Sequence, residues 1–227
     1  GDTLGPGGIF RGLRTINALK DIAEVYKRKC NGAPFLQYAN PMAINSWAAC
    51  ELGINNIGLC HSVQGTSAML AREVGVPIEE CNYISAGINH QAWFISFEHR
   101  GCDIIPDIRK VMKEKHLKKG AEGDESDELH GGGPERVRTE IMELTGYFQT
   151  ESSHHASEYL PYFRKTPELA QEYLPERWDY YEICSDHSEG TQNDEFLNSA
   201  LEDGLNPSHE YGAFIIHSIV TNTPRII

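Results

Sequence analysis

Two residues in this chain are of types that can share a metal ion: Cys60 in "GLCHSVQGT" and His90 in "AGINHQAWF", 30 positions apart. A thiolate sulfur and an imidazole nitrogen both ligate soft-to-borderline divalent ions. Two protein ligands are too few for a closed structural site, which takes four. A catalytic ion, by contrast, keeps positions open for water or substrate oxygens. The competing reading of Cys60 is a buried structural cysteine, since a free thiol packs as a small hydrophobe, and spacing alone leaves both open.

The elements that must position these residues follow from pattern. "APFLQYAN" reads as a short buried strand, "PMAINSWAACELG" as a helix, "NNIGLC" as a second strand and "SVQGTSAMLAREVG" as a second helix. This alternation predicts a parallel sheet with helices on its faces, whose ligands sit at the carboxyl ends of the strands. Asn40 and Cys60 both fall there. Asn40 before Pro41 also predicts a helix start, with Asn40 as N-cap and Pro41 at the first helical position.

Beyond Pro77 the pattern changes. "CNYISAGINHQAWFISFEHRG" predicts an antiparallel strand pair around a sharp loop at Gly87 to His90, in a different domain. Helical segments follow in "DIIPDIRKVMKEKH", "PERVRTEIMELTG", "TPELAQEYL" and "PSHEYGAFIIHSIV", where Tyr211, Phe214, Ile215 and Ile219 form a core stripe. "KKGAEGDESDELHGGG" is charged, glycine-rich and aperiodic, and reads as a solvated loop rather than a metal site despite its histidine and carboxylates.

With 227 residues, 40% of them hydrophobic, and a formal charge of -13, the chain has the composition of a globular protein, neither fibrous nor disordered. No run approaches the roughly 18 apolar residues of a membrane span. The negative balance argues against nucleic acid, whose phosphates call for a basic patch. Six cysteines (Cys30, Cys50, Cys60, Cys81, Cys102, Cys184) lack the spacing of a disulfide framework or a structural zinc site, which points to a reducing, cytoplasmic setting. Small-molecule chemistry is the class that remains.

Five ordered stretches, "GDTLGPGGIFRGLRT", "NPMAINSWA", "GLCHSVQGT", "AGINHQAWF" and "GYFQTESSHHASEYLPYFRK", resemble successive motifs of glycoside hydrolase family 4, the NAD-dependent glycosidases, and most closely its α-galactosidase branch. The similarity runs over nearly the whole chain and is weakest at about 113–133 and 178–204. It implies an α/β fold: the second half of a Rossmann-like parallel sheet in residues 1–60, then an α+β domain in 61–227 resembling the carboxyl-terminal domain of lactate and malate dehydrogenases. Family members are about twice this length. The chain is therefore expected to be an internal fragment whose glycine-rich dinucleotide turn lies upstream, and, alone, to be inactive, poorly soluble and unable to bind NAD tightly.

The resemblance also implies a chemistry outside the paired-carboxylate scheme of most glycosidases. Hydride leaves C3 of the sugar for NAD, the C3 ketone acidifies C2, a base removes the C2 proton, and the C1 oxygen departs by elimination; water then adds and hydride returns. A divalent ion, typically manganese, sits on the C2 and C3 oxygens, which makes Cys60 and His90 its ligands. By the same resemblance Asn40 lies between nicotinamide and substrate, Asn89 contacts substrate, and Tyr147 is the candidate base, with Glu151, His154, His155 and Glu158 as fallbacks. His61 stands where another branch carries an acidic proton donor. Arg14 and Arg11 fall near the cofactor or sugar, or on a solvated helical face. The expected partner is an α-linked sugar, an α-galactoside first and an α-galacturonide or 6-phosphoglycoside next, with homo-oligomerisation at full length and neither nucleic acid nor membrane. A lactate/malate-type dehydrogenase and a non-catalytic carbohydrate-binding protein are the readings from other classes.

Overall fold

The computed structural model describes residues 3–117 and 135–174. Two sheets organise them. The first is a parallel pair, β1 (Phe35–Gln37) beside β2 (Asn56–Gly58), with Phe35 opposite Asn56 and Gln37 opposite Gly58. α1 (Gly5–Lys29) precedes β1, and α2 (Met42–Glu51) connects the two strands. Ala23 and Tyr26 of α1 pack with Ala49 of α2 and with Ile54 in one small core. A parallel pair needs such a crossover, because its strands must run in the same direction.

α3 (Ser62–Val74) leaves the end of β2, closes at Gly75 in the left-handed conformation (φ 74), and leads to the second sheet. There β3 (Cys81–Ile88) and β4 (Gln91–His99) form an antiparallel hairpin with a bulge at Ile84/Ser85. β5 (Cys102–Asp103) and β6 (Phe148–Gln149) pair with different parts of β4. Tyr83, Phe94, Phe97 and Phe148 of this sheet pack with Met69 and Leu70 of α3, Ile108 and Met112 of α4 (Ile105–His116) and Met142 of α5 (Arg136–Thr145). Phe94, Phe97 and Phe148 are essentially sealed, each contributing about 2 to 3 kcal/mol by removal of apolar area from water. α6 (Ser153–Tyr159) and α7 (Pro167–Tyr173) build a satellite core with α5 through Ala156, Phe163 and Leu174. The fold is thus mixed α/β, a parallel sheet followed by a helix-covered antiparallel one.

The start of α2 differs from expectation. Its N-cap is Pro41, not Asn40; the Asn40–Pro41 peptide is cis, and no side chain caps the helix. Pro41 itself is extended (φ -77, ψ 108), and its carbonyl accepts the first helical bond, from the N–H of Asn45 at 2.9 Å. Asn40 stands one residue outside the helix as a result. The segment "KKGAEGDESDELHGGG" and the stripe Tyr211, Phe214, Ile215, Ile219 lie outside the described residues. No described helix is long and apolar enough to cross a membrane.

Candidate functional site

The crevice lies where the parallel strands end. Gln37 and Asn45 both donate from their side-chain amides to the carbonyl of Ala39, at 3.0 and 3.1 Å, which fixes the turn that carries Asn40. The buried oxygens of the same amides, Gln37 Oε1 and Asn45 Oδ1, have no partner among the described residues. The second strand ends at Gly58, where a Cβ would fall 2.4 Å from both Met42 Sδ and Ser46 Oγ of α2. Only glycine permits that approach of helix to strand, and the chain leaves it for Cys60 at the threshold of α3. On the other side, the hairpin of β3 and β4 turns at Asn89 and His90, with Ile88 paired to Gln91. His90 takes φ 63 there and is buried. A positive φ is uncommon for residues other than glycine, but histidine is among those that adopt it.

These two local structures bring Cys60 Sγ to 3.4 Å from His90 Nε2. Ser62 Oγ lies 3.5 Å from the same sulfur. Burial pushes the Cys60 thiol up, but hydrogen bonds with His90 and Ser62 and the positive charge of His90 more than compensate, so its pKa lies below the ordinary value. A third donor joins them: a carboxylate oxygen of the buried Glu151 and the ligating atoms of Cys60 and His90 all lie within 4.8 Å of one another. Two ligands bonded to one ion at about 2.0 to 2.3 Å each stand no more than roughly 4.6 Å apart. The cysteine and histidine meet that condition as they stand, and thiolate, imidazole and carboxylate form a donor set suited to a borderline divalent ion. On the far face of His90, Nδ1 lies 2.9 Å from Thr3 Oγ1, which is itself 2.6 Å from Tyr159 Oη. The His155 ring meets His90 edge-on at 5.2 Å between centroids.

Glu151 owes its place to a buried ion pair on α5. Arg138, wholly buried, donates through Nε to Glu135 Oε2 at 2.6 Å, and its Nη2 lies 2.5 Å from Glu135 Oε1. Its Nη1 donates to Thr66 Oγ1 on α3 at 2.9 Å, and that hydroxyl in turn donates to the carbonyl of Thr150 at 2.6 Å. Glu135 also accepts from Ser153, through the backbone N–H at 3.2 Å and Oγ at 2.7 Å. The clamp thus grips the residues either side of Glu151 and Ser152. Ser152 caps α6 by accepting from the N–H of His155 at 3.3 Å.

The remaining residues singled out from sequence are spread more widely. His61 forms the N-cap position of α3 and stacks on Tyr38 at 6.5 Å. Asn89 precedes His90 in the hairpin turn and is half-buried; Arg14 is exposed on α1, and Arg11 is half-buried one turn earlier. Tyr147 lies between α5 and β6 and lines a cavity of about 610 Å³ with Trp93, Ile141, Leu144, Leu160 and Tyr162. No hydrogen bond or ring contact joins Tyr147 to Cys60, His90 or Glu151. His154 is half-buried, its Nε2 buried and unpartnered among the described residues and its pKa pushed down by burial and by Arg164, while Glu158 is exposed. The sequence reading missed Thr3, Tyr159 and the Glu135–Arg138 pair. Nothing in composition or periodicity marks them, because each works through a partner distant in the chain.

The family model "Family 4 glycosyl hydrolase" matches residues 1–76, and "Family 4 glycosyl hydrolase C-terminal domain" matches residues 85–227. An alpha-galactosidase of Bacillus subtilis is 38% identical over 230 residues, covering 98% of this chain and 50% of that protein. An alpha-galacturonidase of Thermoanaerobacterium saccharolyticum is 31% identical over 188 residues, covering 77% of this chain and 40% of that protein. Among solved structures, the glucosidase lplD of Bacillus subtilis superposes with a TM-score of 0.69 at 26% identity, over 88% of this chain and 48% of that one. A 6-phospho-alpha-glucosidase from gut microorganisms, solved in complex with NAD and Mn2+, gives 0.58 at 23% identity, over 71% and 37%. This chain therefore spans about half the length of these relatives, or less.

Proposed function

This chain belongs to family 4 of the glycosyl hydrolases, and from that premise we propose that its protein cleaves α-galactosides by an oxidation and elimination that uses NAD and a divalent metal such as manganese. The observation that carries the proposal is the convergence of Cys60, His90 and Glu151 at the carboxyl ends of the parallel strands. An alpha-galactosidase at 38% identity, against an alpha-galacturonidase at 31%, favours the galactoside. Free thiols at Cys30, Cys50, Cys60, Cys81 and Cys102 support a reducing setting.

In this reading Cys60 and His90 hold the ion, and Asn40 and Arg14 lie on the nicotinamide side of the crevice. The unpartnered Gln37 Oε1 and Asn45 Oδ1 beside Asn40 support a polar ligand there. When bound, the dinucleotide supplies a reversible hydride acceptor for C3, and the ion supplies positive charge at the sugar O2 and O3. The chain's own residues move the protons. A C2 proton is too weakly acidic for any side chain until the neighbouring carbon is a ketone, and Tyr147 is then the base that takes it. In this reading His61, at the N-cap position of α3, gives a proton to the departing C1 oxygen. Asn89, next to His90, holds a sugar hydroxyl. Glu151 is the second reading for the base, favoured by its buried position beside the pair.

The test is a cofactor and metal requirement. From the full-length protein, release of p-nitrophenol from p-nitrophenyl α-galactoside is expected only with both NAD and Mn2+ present, and is expected to be lost in Cys60→Ser. Turnover that is indifferent to chelator and to removal of NAD would point to an ordinary displacement glycosidase.

A further inference from the structure

We propose that Thr3 is a positioning residue for the metal site, one that sets the tautomer and ring plane of His90; the inference rests on reading His90 as a ligand through Nε2. That nitrogen faces Cys60 Sγ at 3.4 Å, whereas Nδ1 faces Thr3 Oγ1 at 2.9 Å. A neutral imidazole carries its proton on one nitrogen and a lone pair on the other. Only with the proton on Nδ1 does Nε2 offer its lone pair to the crevice. Thr3 Oγ1 accepts that proton's hydrogen bond and makes a second one, at 2.6 Å, with Tyr159 Oη, in which either hydroxyl can donate. A hydroxyl, with one proton and two lone pairs, does both at once; a valine of the same shape does neither.

Thr3 is held for this task. It is buried, and the chain folds it against the first turn of α1, where a Cβ on Gly8 would fall 2.6 Å from the Thr3 carbonyl carbon and 2.7 Å from its oxygen. Both atoms belong to the backbone, so a side chain at position 8 would displace Thr3 rather than rotate aside. The start of α1 is thereby joined to a hairpin turn 87 residues later. The stacking edge of His155 restrains the same ring from another side. Groups that orient a ligating histidine through its second nitrogen typically matter by ~10- to 100-fold in metal affinity.

The experiment measures Mn2+ dissociation constants from the electron paramagnetic resonance signal of free Mn2+. Thr3→Val is expected to weaken binding ~10- to 100-fold, while Thr3→Ser, which keeps the hydroxyl, stays within about threefold of the parent by the same reasoning. A second readout is the His90 ring in the Zn2+-loaded protein: a slowly exchanging Nδ1–H resonance in the parent and in Thr3→Ser, lost in Thr3→Val. If Thr3→Val does not fold, Thr3→Ala deletes the same hydroxyl without the bulk and is read the same way. Unchanged Mn2+ affinity and an unchanged ring resonance on loss of the hydroxyl would overturn the proposal. Cys60→Ser separates the two layers. If it abolishes binding while loss of the Thr3 hydroxyl does not, Thr3 alone is wrongly assigned; if it has no effect either, the metal site itself is.

Discussion

The sulfur of Cys60 stands 3.4 Å from Nε2 of His90, although one residue ends a parallel strand unit and the other turns an antiparallel hairpin. The contact favours the thiolate, with hydrogen bonds and the charge of His90 outweighing burial. Because a lowered pKa moves the midpoint of ionisation to lower pH, alkylation of Cys60 by iodoacetamide is expected to rise at lower pH than that of a free thiol such as glutathione. His90→Ala should return the profile upward, and Mn2+ should protect Cys60 alone. Peptide mass spectrometry across a pH series reads all three outcomes; a Cys60 profile that coincides with that of the free thiol would contradict the geometry.

Arg138 is the largest side chain sealed among the described residues, and Glu135 is its counter-charge. Removing one partner of a buried pair leaves the other charge uncompensated, at a cost of about 3 to 5 kcal/mol. Glu135→Gln is expected to destabilise the fold by that order in urea unfolding, and to loosen the segment that carries Glu151. A change under about 1 kcal/mol would mean that the Thr66 hydroxyl and the carbonyls of Gln149 and Thr150 satisfy Arg138 without the carboxylate.

His116, on α4, is buried, and its Nδ1 accepts the N–H of Glu135 at 3.1 Å. Burial, the largest influence, holds its pKa below the ordinary histidine value despite the nearby carboxylates. The unfolded chain therefore binds more protons than the folded one as pH falls toward and below the ordinary histidine value of 6.5, and stability drops with it. His154, shifted the same way by burial, adds to the effect. His116→Asn, which keeps an acceptor for the Glu135 N–H, is expected to flatten the dependence of the unfolding midpoint on pH below neutrality. An unchanged slope would place the titration elsewhere.

Glu80 gives the acid limb. It accepts from Arg100 through both oxygens and lies 2.8 Å from His99 Nε2, which joins the entry of β3 to the end of β4. Hydrogen bonds from Arg100 and then His99 pull its pKa down to about 2 from 4.5. A depressed carboxylate stabilises the fold above the unfolded value and loses that contribution as pH falls from about 4.5 to about 2. Glu80→Gln should reduce the slope in that window, and only modestly, because the groups are solvent-screened and the lowered Glu143 and Glu168 share it. Thermal melts from pH 5 to 2 check this.

Which parts of the molecule the sequence announces depends on how local their causes are. The β-α-β alternation, the hairpin at His90 and helices α3, α4, α5 and α7 follow from periodicity and turn residues within a dozen positions. Cys60 and His90 were marked by their chemistry and by motif, and strand ends are where such a fold gathers ligands. The Asn40 cap failed because Asn-Pro at a strand end serves two structures, and here Pro41 takes the cap. Thr3 and the Thr66–Arg138–Glu135 clamp were illegible, since a threonine or a helical arginine reads as surface until tertiary contacts bury it. Glu151 stood among several candidates in "TESSHHASEY", and only the fold brings its carboxylate within 4.8 Å of the pair's ligating atoms and sets the His155 ring against His90.

The central claim is that a proton leaves C2 of the sugar, and solvent deuterium tests it most directly. Turnover of p-nitrophenyl α-galactoside in heavy water by the full-length protein with NAD and Mn2+ is expected to yield galactose carrying deuterium at C2, because the proton taken by the base returns from solvent. Mass spectrometry and proton NMR of the product locate the label, and Tyr147→Phe, or Glu151→Gln if the buried carboxylate is the base, is expected to suppress it far more than substrate binding. Product released at full turnover with ordinary hydrogen at C2 would contradict the account.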